Sequence, residues 1–330
     1  MTRHIAIICT GGTIACTADD TGALVPTVSG HQLVDAAVPA LDDDALDDDV
    51  RFRILDTLQL DSSSIGLAEL DTLLAAIAEQ AADPSIAAVV VTHGTDSMEE
   101  SAFATALLVR GAPVVFTGAQ RAFDHPATDG PRNLAGAINR AVELADARAD
   151  AGSSAATAVE VHFAGKNLPG HSVHKRHTAE LAAFASHAHD ADCTNAYSAK
   201  FPAPVQLPKL DGYFVPIIAG YPGATAELVD YAVEHHADGL VIEALGSGNM
   251  SADLGPAVVR ALERGVPVVV ATRVPQGAVA LAYGGGGGGA TLAEHGAVSA
   301  RTVHPGQARL ALISALATGT AVETVFQLFD

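Results

Sequence analysis

The chain contains no tryptophan, and only 5% of its residues are aromatic. Its three cysteines, Cys9, Cys16 and Cys193, are odd in number and far apart, which argues against a disulfide framework and a paired zinc-ligand motif. No apolar run reaches the ~20 residues that cross a bilayer, and the apolar run near the N-terminus is too short for a secretory signal. We therefore expect a cytoplasmic protein with no membrane partner.

Basic residues are scarce: 18 Lys and Arg stand against 38 Asp and Glu, which gives a net charge of −20. An acidic surface repels phosphate backbones and anionic headgroups, which disfavours nucleic-acid binding as the main role. Apolar residues make up 49% of the 330 positions. A chain of this length and composition can bury the cores of two domains, at roughly 100–200 residues per domain.

Short apolar runs alternate with longer amphipathic segments, which is the order of a parallel α/β sheet. The runs predict strands over 5–9, 52–58, 87–92, 113–117, 158–163, 213–218, 239–244 and 266–271. Runs such as Ala88-Val89-Val90-Val91 lack polar alternation and predict strands covered by helices on both faces. We therefore predict an α/β protein with a larger N-terminal, doubly wound, mainly parallel sheet domain and a smaller C-terminal α/β domain. The predicted boundaries are 1–197 for the first domain, 198–211 for a proline-bearing linker and 212–330 for the second domain.

Polar residues follow three of the predicted strands, at the positions where open α/β sheets bind ligands. These strand ends carry Thr10-Gly11-Gly12-Thr13, Thr92-His93-Gly94-Thr95-Asp96 and Thr117-Gly118-Ala119-Gln120. Taken singly, a hydroxyl in such a turn is typical of turn stabilisation, and the Asp96-x-x-Glu99 spacing is typical of a helix cap. Their convergence at one sheet edge instead predicts a binding crevice in which hydroxyls, a carboxylate and backbone N–H groups meet.

The sequence resembles the bacterial-type L-asparaginase/glutaminase family. The resemblance rests on Thr-Gly-Gly-Thr-Ile-Ala at 10–15, Val-Thr-His-Gly-Thr-Asp-Ser-Met-Glu-Glu-Ser-Ala at 91–102, Thr-Gly-Ala-Gln-Arg at 117–121 and Asp-Gly-Pro-Arg-Asn-Leu at 129–134. Weaker matches follow at 245–249 and 272–277, so the motifs span nearly the whole chain in order. The resemblance implies an amidohydrolase that converts L-asparagine to L-aspartate and ammonia without a cofactor or a metal.

Catalytic residues follow from the resemblance position by position. Thr13 matches the nucleophilic threonine, Thr95 and Asp96 match the second threonine with its aspartate, and Lys175 matches the lysine that works with them. The chemistry agrees, because a hydroxyl must lose its proton to a positioned base and a lysine can serve once its surroundings favour the neutral form.

Substrate-binding residues are implied in the same way. Asp61-Ser62-Ser63 resembles the loop that binds the substrate carboxylate, and Gly12, Gly94 and Ala119 lie at the strand ends that face the crevice. Asn249 resembles the asparagine that a neighbouring subunit lends to the site. The resemblance therefore implies a homodimer or homotetramer.

One departure concerns the loop after the first motif, where family members commonly carry a tyrosine. All five tyrosines of this chain lie at Tyr197 or later, and the matching stretch Gly22–Pro26 offers Leu24 or Val25 instead. Either another group activates Thr13, or turnover is slow, or Thr95 carries more of the chemistry.

Four other hypotheses fit parts of the sequence. The spacing His171-x-x-His174-x-x-His177, with His187 and His189 nearby, suggests a metal-dependent hydrolase, although positions three apart drift around a helix and Lys175 would repel a cation. A non-catalytic amino-acid-binding protein would keep the crevice without the chemistry. An amidotransferase component that acts on aminoacyl-tRNA would need a further N-terminal domain and a surface for nucleic acid. A glutaminase-asparaginase of broader specificity would use the same site.

Overall fold

The computed structural model describes residues 3–43, 45, 50–151, 157–187 and 206–329, in two compact units, Met1–Leu207 and Pro208–Asp330. Cys193 and most of the predicted linker 198–211 lie outside the described residues, so the predicted domain boundaries stay a prediction. Within the described residues no helix is both long and apolar enough to span a membrane.

The first unit is built around a six-stranded sheet with helices on both faces. The whole unit contains the strands β1 (Arg3–Gly11), β2 (Cys16–Ala18), β3 (Leu24–Pro26), β4 (Val50–Leu60), β5 (Ile86–Thr92), β6 (Val114–Thr117), β7 (Val159–Phe163), β8 (Lys166–Pro169), β9 (Val173–Lys175) and β10 (Phe184–Ser186). Six of them form the main sheet, while β2 pairs with β3 and β9 with β10. Its α-helices are α1 (Gly30–Ala37), α2 (Leu67–Ala82), α3 (Met98–Leu108) and α4 (Gly130–Ala151). The sheet order is β4-β1-β5-β6-β7-β8, and every neighbouring pair is parallel except β7 with β8.

The central strands β1, β5 and β6 are buried on both sides because helices cover both faces of the sheet. Ile5, Ile7 and Cys9 of β1 lie in a core with α1 and α4, while α2 and α3 contact the sheet on its other face. The predicted doubly wound, mainly parallel sheet is confirmed. It aligns the carboxyl ends of the central strands, since Cys9 pairs with Thr92 and Thr92 pairs with Thr117.

The second unit carries a smaller parallel sheet of order β11-β12-β13-β14. Its strands are β11 (Ile217–Ala219), β12 (Leu240–Ala244), β13 (Val268–Thr272) and β14 (Val298–Ser299). Its α-helices are α5 (Glu227–Glu234), α6 (Leu254–Glu263), α7 (Gly289–Glu294), α8 (Pro305–Thr318) and α9 (Val322–Phe326). The smaller C-terminal α/β domain is thus confirmed.

The prediction of a strand over 213–218 was wrong at its start, because β11 begins only at Ile217. Pro216 directly precedes β11 and has no N–H to donate to a ladder. Its carbonyl instead accepts a hydrogen bond from Val241 N at 3.1 Å, which marks the start of the pairing with β12.

Candidate active site

The Thr13 turn follows β1 directly. Gly12 N donates to Leu60 O at 2.9 Å, and a single turn of 3₁₀-helix over Thr13–Ala15 begins there. Gly12 O accepts hydrogen bonds from Ala15 N at 2.9 Å and from Cys16 Sγ at 3.2 Å. Thr13 itself is partly exposed, and no side chain within the described ranges forms a hydrogen bond with its hydroxyl. The backbone of the turn is therefore fixed while its hydroxyl stays open to a ligand.

The Thr13 turn touches the turn that follows β5. A Cβ atom added to Gly12 would lie 2.3 Å from Gly94 Cα, and one added to Gly94 would lie 2.6 Å from Ser62 Oγ. Gly12 also has a φ of +71°, a conformation that L side chains rarely adopt. Glycine at both positions lets the two backbones meet, which brings together the chain segments that carry Thr13 and Thr95.

Thr95, Lys175 and Asp96 form a hydrogen-bonded chain. Lys175 Nζ donates to Thr95 Oγ1 at 2.8 Å and to Asp96 Oδ1 at 2.7 Å. Thr95 is 5% exposed, whereas the Asp96 side chain is 64% exposed. The structure thus places a hydroxyl, an amine and a carboxylate in contact, with the carboxylate at the open end.

Gln120 also contacts Thr95, and sequence reasoning missed this contact. The Thr95 hydroxyl donates to Gln120 Oε1 at 3.4 Å, and Gln120 Nε2 donates to Glu180 O at 3.0 Å. The carboxylate of Asp129 accepts from the backbone N–H groups of Gln120 at 3.1 Å and Arg121 at 3.0 Å. This network fixes the turn after β6, in which Ala119 is fully buried. The sequence signal for Gln120 was its place inside the Thr-Gly-Ala-Gln-Arg motif.

Ser62 binds the Thr95 turn rather than standing free. Its hydroxyl accepts from Asp96 N at 3.0 Å, and its carbonyl accepts from Ser97 Oγ at 2.7 Å. Ser62 is 5% exposed, whereas its neighbours Asp61 and Ser63 are exposed. The 3₁₀ turn Ser62–Ser64 that follows β4 therefore supports the position of Asp96.

Burial shifts the pKa of three further groups. His93 is fully buried, which lowers its pKa to about 4, and its neutral ring donates from Nδ1 to Gly94 O at 2.8 Å. Burial raises the pKa of Glu99, whose carboxylate accepts from Lys175 N at 2.5 Å. Burial, followed by the charges of Asp61 and Asp124, raises the pKa of Cys16 to about 11. Cys16 is therefore a neutral thiol near pH 7 and a poor nucleophile.

The loop that lacks a tyrosine forms a short hairpin. β2 and β3 pair antiparallel, with Thr17 opposite Val25 and Ala18 opposite Leu24. The side chains of Leu24 and Val25 are exposed, as expected for residues on a two-stranded ribbon.

Two groups of predicted residues are not brought to this site within the first unit. Asn249 belongs to the second unit, where its Oδ1 accepts from Gly289 N at 3.4 Å, and its reach into a neighbouring subunit stays a prediction.

His171 and His174 are buried, whereas His177 is exposed and contacts Glu180 at 3.4 Å. Among the described residues, His171 and His177 do not join His174 as a ligand set, whereas the rings of His174 and His187 stack with their centroids 6.0 Å apart.

Comparison with known proteins places this geometry in a family. The family described as "Asparaginase, N-terminal" matches residues 4–197, and "Glutaminase/Asparaginase C-terminal domain" matches residues 214–329. The "Probable L-asparaginase" of Deinococcus radiodurans is 35% identical, over 99% of this chain and 97% of the relative. A component of the glutamyl-tRNA(Gln) amidotransferase of Methanopyrus kandleri is 30% identical, over 84% of this chain but 62% of the relative. The crystal structure of a "Probable Cytoplasmic L-asparaginase" from Campylobacter jejuni superimposes with a TM-score of 0.77 at 26% identity, covering 99% of both chains. The chain belongs to the asparaginase family.

Proposed function

We propose that this protein is an L-asparaginase, which hydrolyses the side-chain amide of L-asparagine to L-aspartate and ammonia. The observation that carries the proposal is the contact of Lys175 Nζ with both Thr95 Oγ1 and Asp96 Oδ1, at 2.8 and 2.7 Å. A hydroxyl, a base and a group that orients the base are the parts that acyl transfer needs. Both proteins named as asparaginases match this chain over nearly their full lengths, which supports the same assignment.

In this proposal Thr13 supplies the attacking hydroxyl. Its oxygen bonds to the side-chain carbonyl carbon of asparagine, and the tetrahedral intermediate then breaks its C–N bond to release ammonia. Water next attacks the resulting ester, which frees aspartate and restores the Thr13 hydroxyl. The partly exposed position of Thr13 at the sheet edge, with its hydroxyl unengaged among the described residues, suits a group that must meet substrate.

Thr95, Lys175 and Asp96 handle protons in the same proposal. Lys175 can accept a proton only in its neutral form, and in its charged form it can give one to the departing ammonia. Asp96 holds the amine against Thr95, so the two hydrogen bonds of Lys175 orient it in either form. The contact of Gly12 with Gly94 brings the two turns together. Proton transfer between Thr13 and this group, directly or through one water, is part of the proposal.

Binding groups surround the two hydroxyls. Backbone N–H groups near Thr95 and Ala119 are proposed to hold the developing oxyanion, a contribution of about 3–4 kcal/mol where such a donor has been removed. The exposed Asp96 carboxylate suits the substrate ammonium, and the loop with Asp61, Ser62 and Ser63 suits its carboxylate. Gly12 and Gly94 let the two turns meet, which in this proposal places the backbone of both turns beside the substrate.

The proposal also includes the substrate preference, the assembly and the location of the protein. L-Glutamine differs by one methylene, which a pocket discriminates by only ~1–3 kcal/mol, so a weaker glutaminase activity is expected. Asn249 of a neighbouring subunit would complete the site, which makes a homodimer or homotetramer part of the function. A cytoplasmic location is proposed by analogy with the Campylobacter relative. The amidotransferase alternative is disfavoured by the net charge of −20, because an acidic surface repels the phosphate backbone of a tRNA.

The test is ammonia release from L-asparagine, L-glutamine and D-asparagine by the wild type, Thr13→Ala and Thr95→Ala. We expect the wild type to prefer L-asparagine and both variants to lose activity. Thr72→Ala is the matched control, because this exposed threonine of α2 bonds only its own helix, at Ala68 O. A wild type that binds aspartate without releasing ammonia from any substrate would overturn the proposal in favour of a binding protein.

A further inference from the structure

The Glu99 carboxylate joins the two elements that carry the Thr95–Lys175 pair. Glu99 lies in the first turn of α3, just after Thr95 and Asp96, while Lys175 is the last residue of β9. Glu99 Oε2 accepts a hydrogen bond of 2.5 Å from the backbone N–H of Lys175, across 76 positions of sequence. The carboxylate therefore makes a tertiary contact between helix and strand, rather than a local helix cap.

The backbone of Lys175 has its N–H on the side of β9 that faces α3. In the antiparallel pair of β9 with β10, Lys175 stands opposite Phe184, and the next N–H, that of Arg176, donates to Ala183 O at 2.8 Å. Successive N–H groups of a strand point to opposite sides, so the Lys175 N–H points away from β10. A buried donor left without an acceptor keeps its desolvation penalty, and Glu99 supplies the acceptor for the Lys175 N–H.

The position of Glu99 is electrostatically costly as well as useful. Burial raises its pKa, while the Lys175 N–H and the Lys175 charge act in the opposite direction. The first turn of a helix also favours a negative charge. A partly buried carboxylate that is held by these partners gives a rigid connection, because moving it would expose an unpaired charge.

We infer that Glu99 is a positioning residue for the proposed amidohydrolase reaction: by holding the Lys175 backbone against α3, it fixes the amine of Lys175 on the hydroxyl of Thr95. The inference rests on the proposed function. Glu99 touches no reacting atom and acts through Lys175. A displacement of about 1 Å in a catalytic group can lower a rate by about 100-fold, so the Glu99 bond is expected to affect turnover.

The test compares Glu99→Met, which removes the acceptor at similar volume, with Glu99→Gln, which keeps a carbonyl oxygen. We expect Glu99→Met to lower kcat for L-asparagine by about 10–100-fold while KM changes by less than about threefold. Glu99→Gln should restore kcat to within about threefold of the wild type, since its amide oxygen can accept the same bond.

Glu69→Met is the matched control. Glu69 also lies in the first turn of a helix and accepts a backbone N–H, that of Gly66 at 3.0 Å, whereas the hydrogen bonds that Lys175 donates in the described part of the chain go to Glu99, Thr95 and Asp96. This variant should lose stability in thermal unfolding and keep the wild-type kcat. If Glu99→Met does not fold, Glu99→Asp replaces it, because a side chain one methylene shorter withdraws the carboxylate from Lys175 N.

A Glu99→Met enzyme with wild-type kcat would overturn the inference, as would a kcat loss that Glu99→Gln does not restore. Where Glu99→Asp is the variant used, an unchanged kcat would do the same. These outcomes leave the proposed function intact, because they require an active wild type. An inactive wild type would instead overturn the proposed function itself.

Discussion

The Thr13 turn and the Thr95 turn leave the same edge of one sheet and touch each other, yet their hydroxyls have different surroundings. Thr95 is buried, and its oxygen lies 2.8 Å from Lys175 Nζ and 3.4 Å from Gln120 Oε1. Thr13 is partly exposed, and its hydroxyl has no hydrogen-bonding side chain in the described part of the chain. One hydroxyl is therefore held in a proton-handling network, and the other is left open.

This contrast supports a division of labour between the two threonines. A group that exchanges protons benefits from fixed partners in a dry site, where electrostatic interactions are strong. A group that forms a bond to substrate must be reachable and can be activated from the neighbouring turn. The proposed roles, attack by Thr13 and proton transfer by Thr95 with Lys175, follow this difference.

The largest effect on kcat is expected from removing the amine that contacts Thr95. Lys175→Met removes the amine that bonds both Thr95 and Asp96, and we expect kcat to fall by about 10³-fold or more. The double variant Thr95→Ala/Lys175→Met should lose little beyond either single variant, because the two residues act as a unit. Steady-state ammonia release measures both. Lys166→Met, at an exposed residue of β8, is the control and should leave kcat unchanged. Additive losses in the double variant would contradict the joint role.

The next effect comes from separating the two turns. Gly12→Ala places a Cβ 2.3 Å from Gly94 Cα, at a φ of +71°, so the backbones must move apart. We expect a kcat loss of about 100-fold or a failure to fold. Gly22→Ala imposes a similar strain, at a φ of +84°, but meets nothing within 4 Å. A comparison of kcat and thermal unfolding for the two variants separates strain from contact; equal effects on kcat would show that the contact of the turns is unimportant.

A smaller effect on kcat is expected from placing a tyrosine near Thr13, on the loop where this chain has none. Leu24→Tyr and Val25→Tyr alter exposed residues of β3, so each should fold with stability within about 0.5 kcal/mol of the wild type. Neighbouring residues of a strand point to opposite faces, so only one of the two can direct its hydroxyl towards the Thr13 turn. We expect one variant to raise kcat by up to about tenfold and the other to leave it unchanged. Ammonia-release assays of both variants test this expectation. An unchanged kcat in both variants would show that Thr13 needs no tyrosine partner.

The last expected effect is a change of folding stability with pH, which distinguishes the Thr95 turn from the Thr13 turn and does not involve turnover. Burial lowers the pKa of His93, beside Thr95, to about 4, against about 6.5 in an unfolded chain. Below pH 6.5 the unfolded state then binds more protons, so stability falls as the pH drops towards about 4. We expect a loss of the order of 1–3 kcal/mol between pH 7 and pH 5 from this residue. Beside Thr13, the Cys16 thiol has a pKa of about 11 and does not titrate in this window.

Urea unfolding at pH 7 and pH 5 measures this dependence for the wild type, His93→Asn and His31→Asn. His93→Asn should lessen the dependence without abolishing it, because burial also lowers the pKa of His171 to about 4. His31→Asn, at an exposed residue, should keep the full dependence. Glu99 acts in the opposite direction, since burial raises its pKa, and the comparison of variants removes its contribution. An unchanged pH dependence in His93→Asn would contradict the assignment to His93.

The sequence predicted the sheet well because buried parallel strands have a local signature. The run predicted over 87–92 lies within Ile86–Thr92, and the run over 52–58 lies within Val50–Leu60. The convergence of Thr13 and Thr95 followed from the same logic, since parallel strands end at one edge. At Ile217 the prediction was wrong in its start because Pro216 outweighed the apolar pattern.

The supporting residues were less predictable, because their roles depend on tertiary contacts. Glu99 looked like a helix-cap residue, yet its carboxylate bonds Lys175 N, 76 positions away. Gln120 belongs to the Thr-Gly-Ala-Gln-Arg motif, but the motif does not predict that its side chain accepts a hydrogen bond from Thr95 at 3.4 Å. The burial of His93 likewise depends on packing against Phe116, whose ring centre lies 6.1 Å away. Periodicity carries no information on such pairs.

The most direct test of the division of labour is to identify the threonine that bears the acyl group. Wild type and Thr95→Ala would be mixed with L-asparagine, quenched in acid and digested, and the peptides around residues 13 and 95 analysed by mass spectrometry. We expect an aspartyl ester on Thr13 in both proteins, and its amount in Thr95→Ala relative to the wild type shows whether Thr95 contributes more to forming or to removing the ester. An ester on Thr95 in the wild type would contradict the account and assign the attack to the hydroxyl that Lys175 holds.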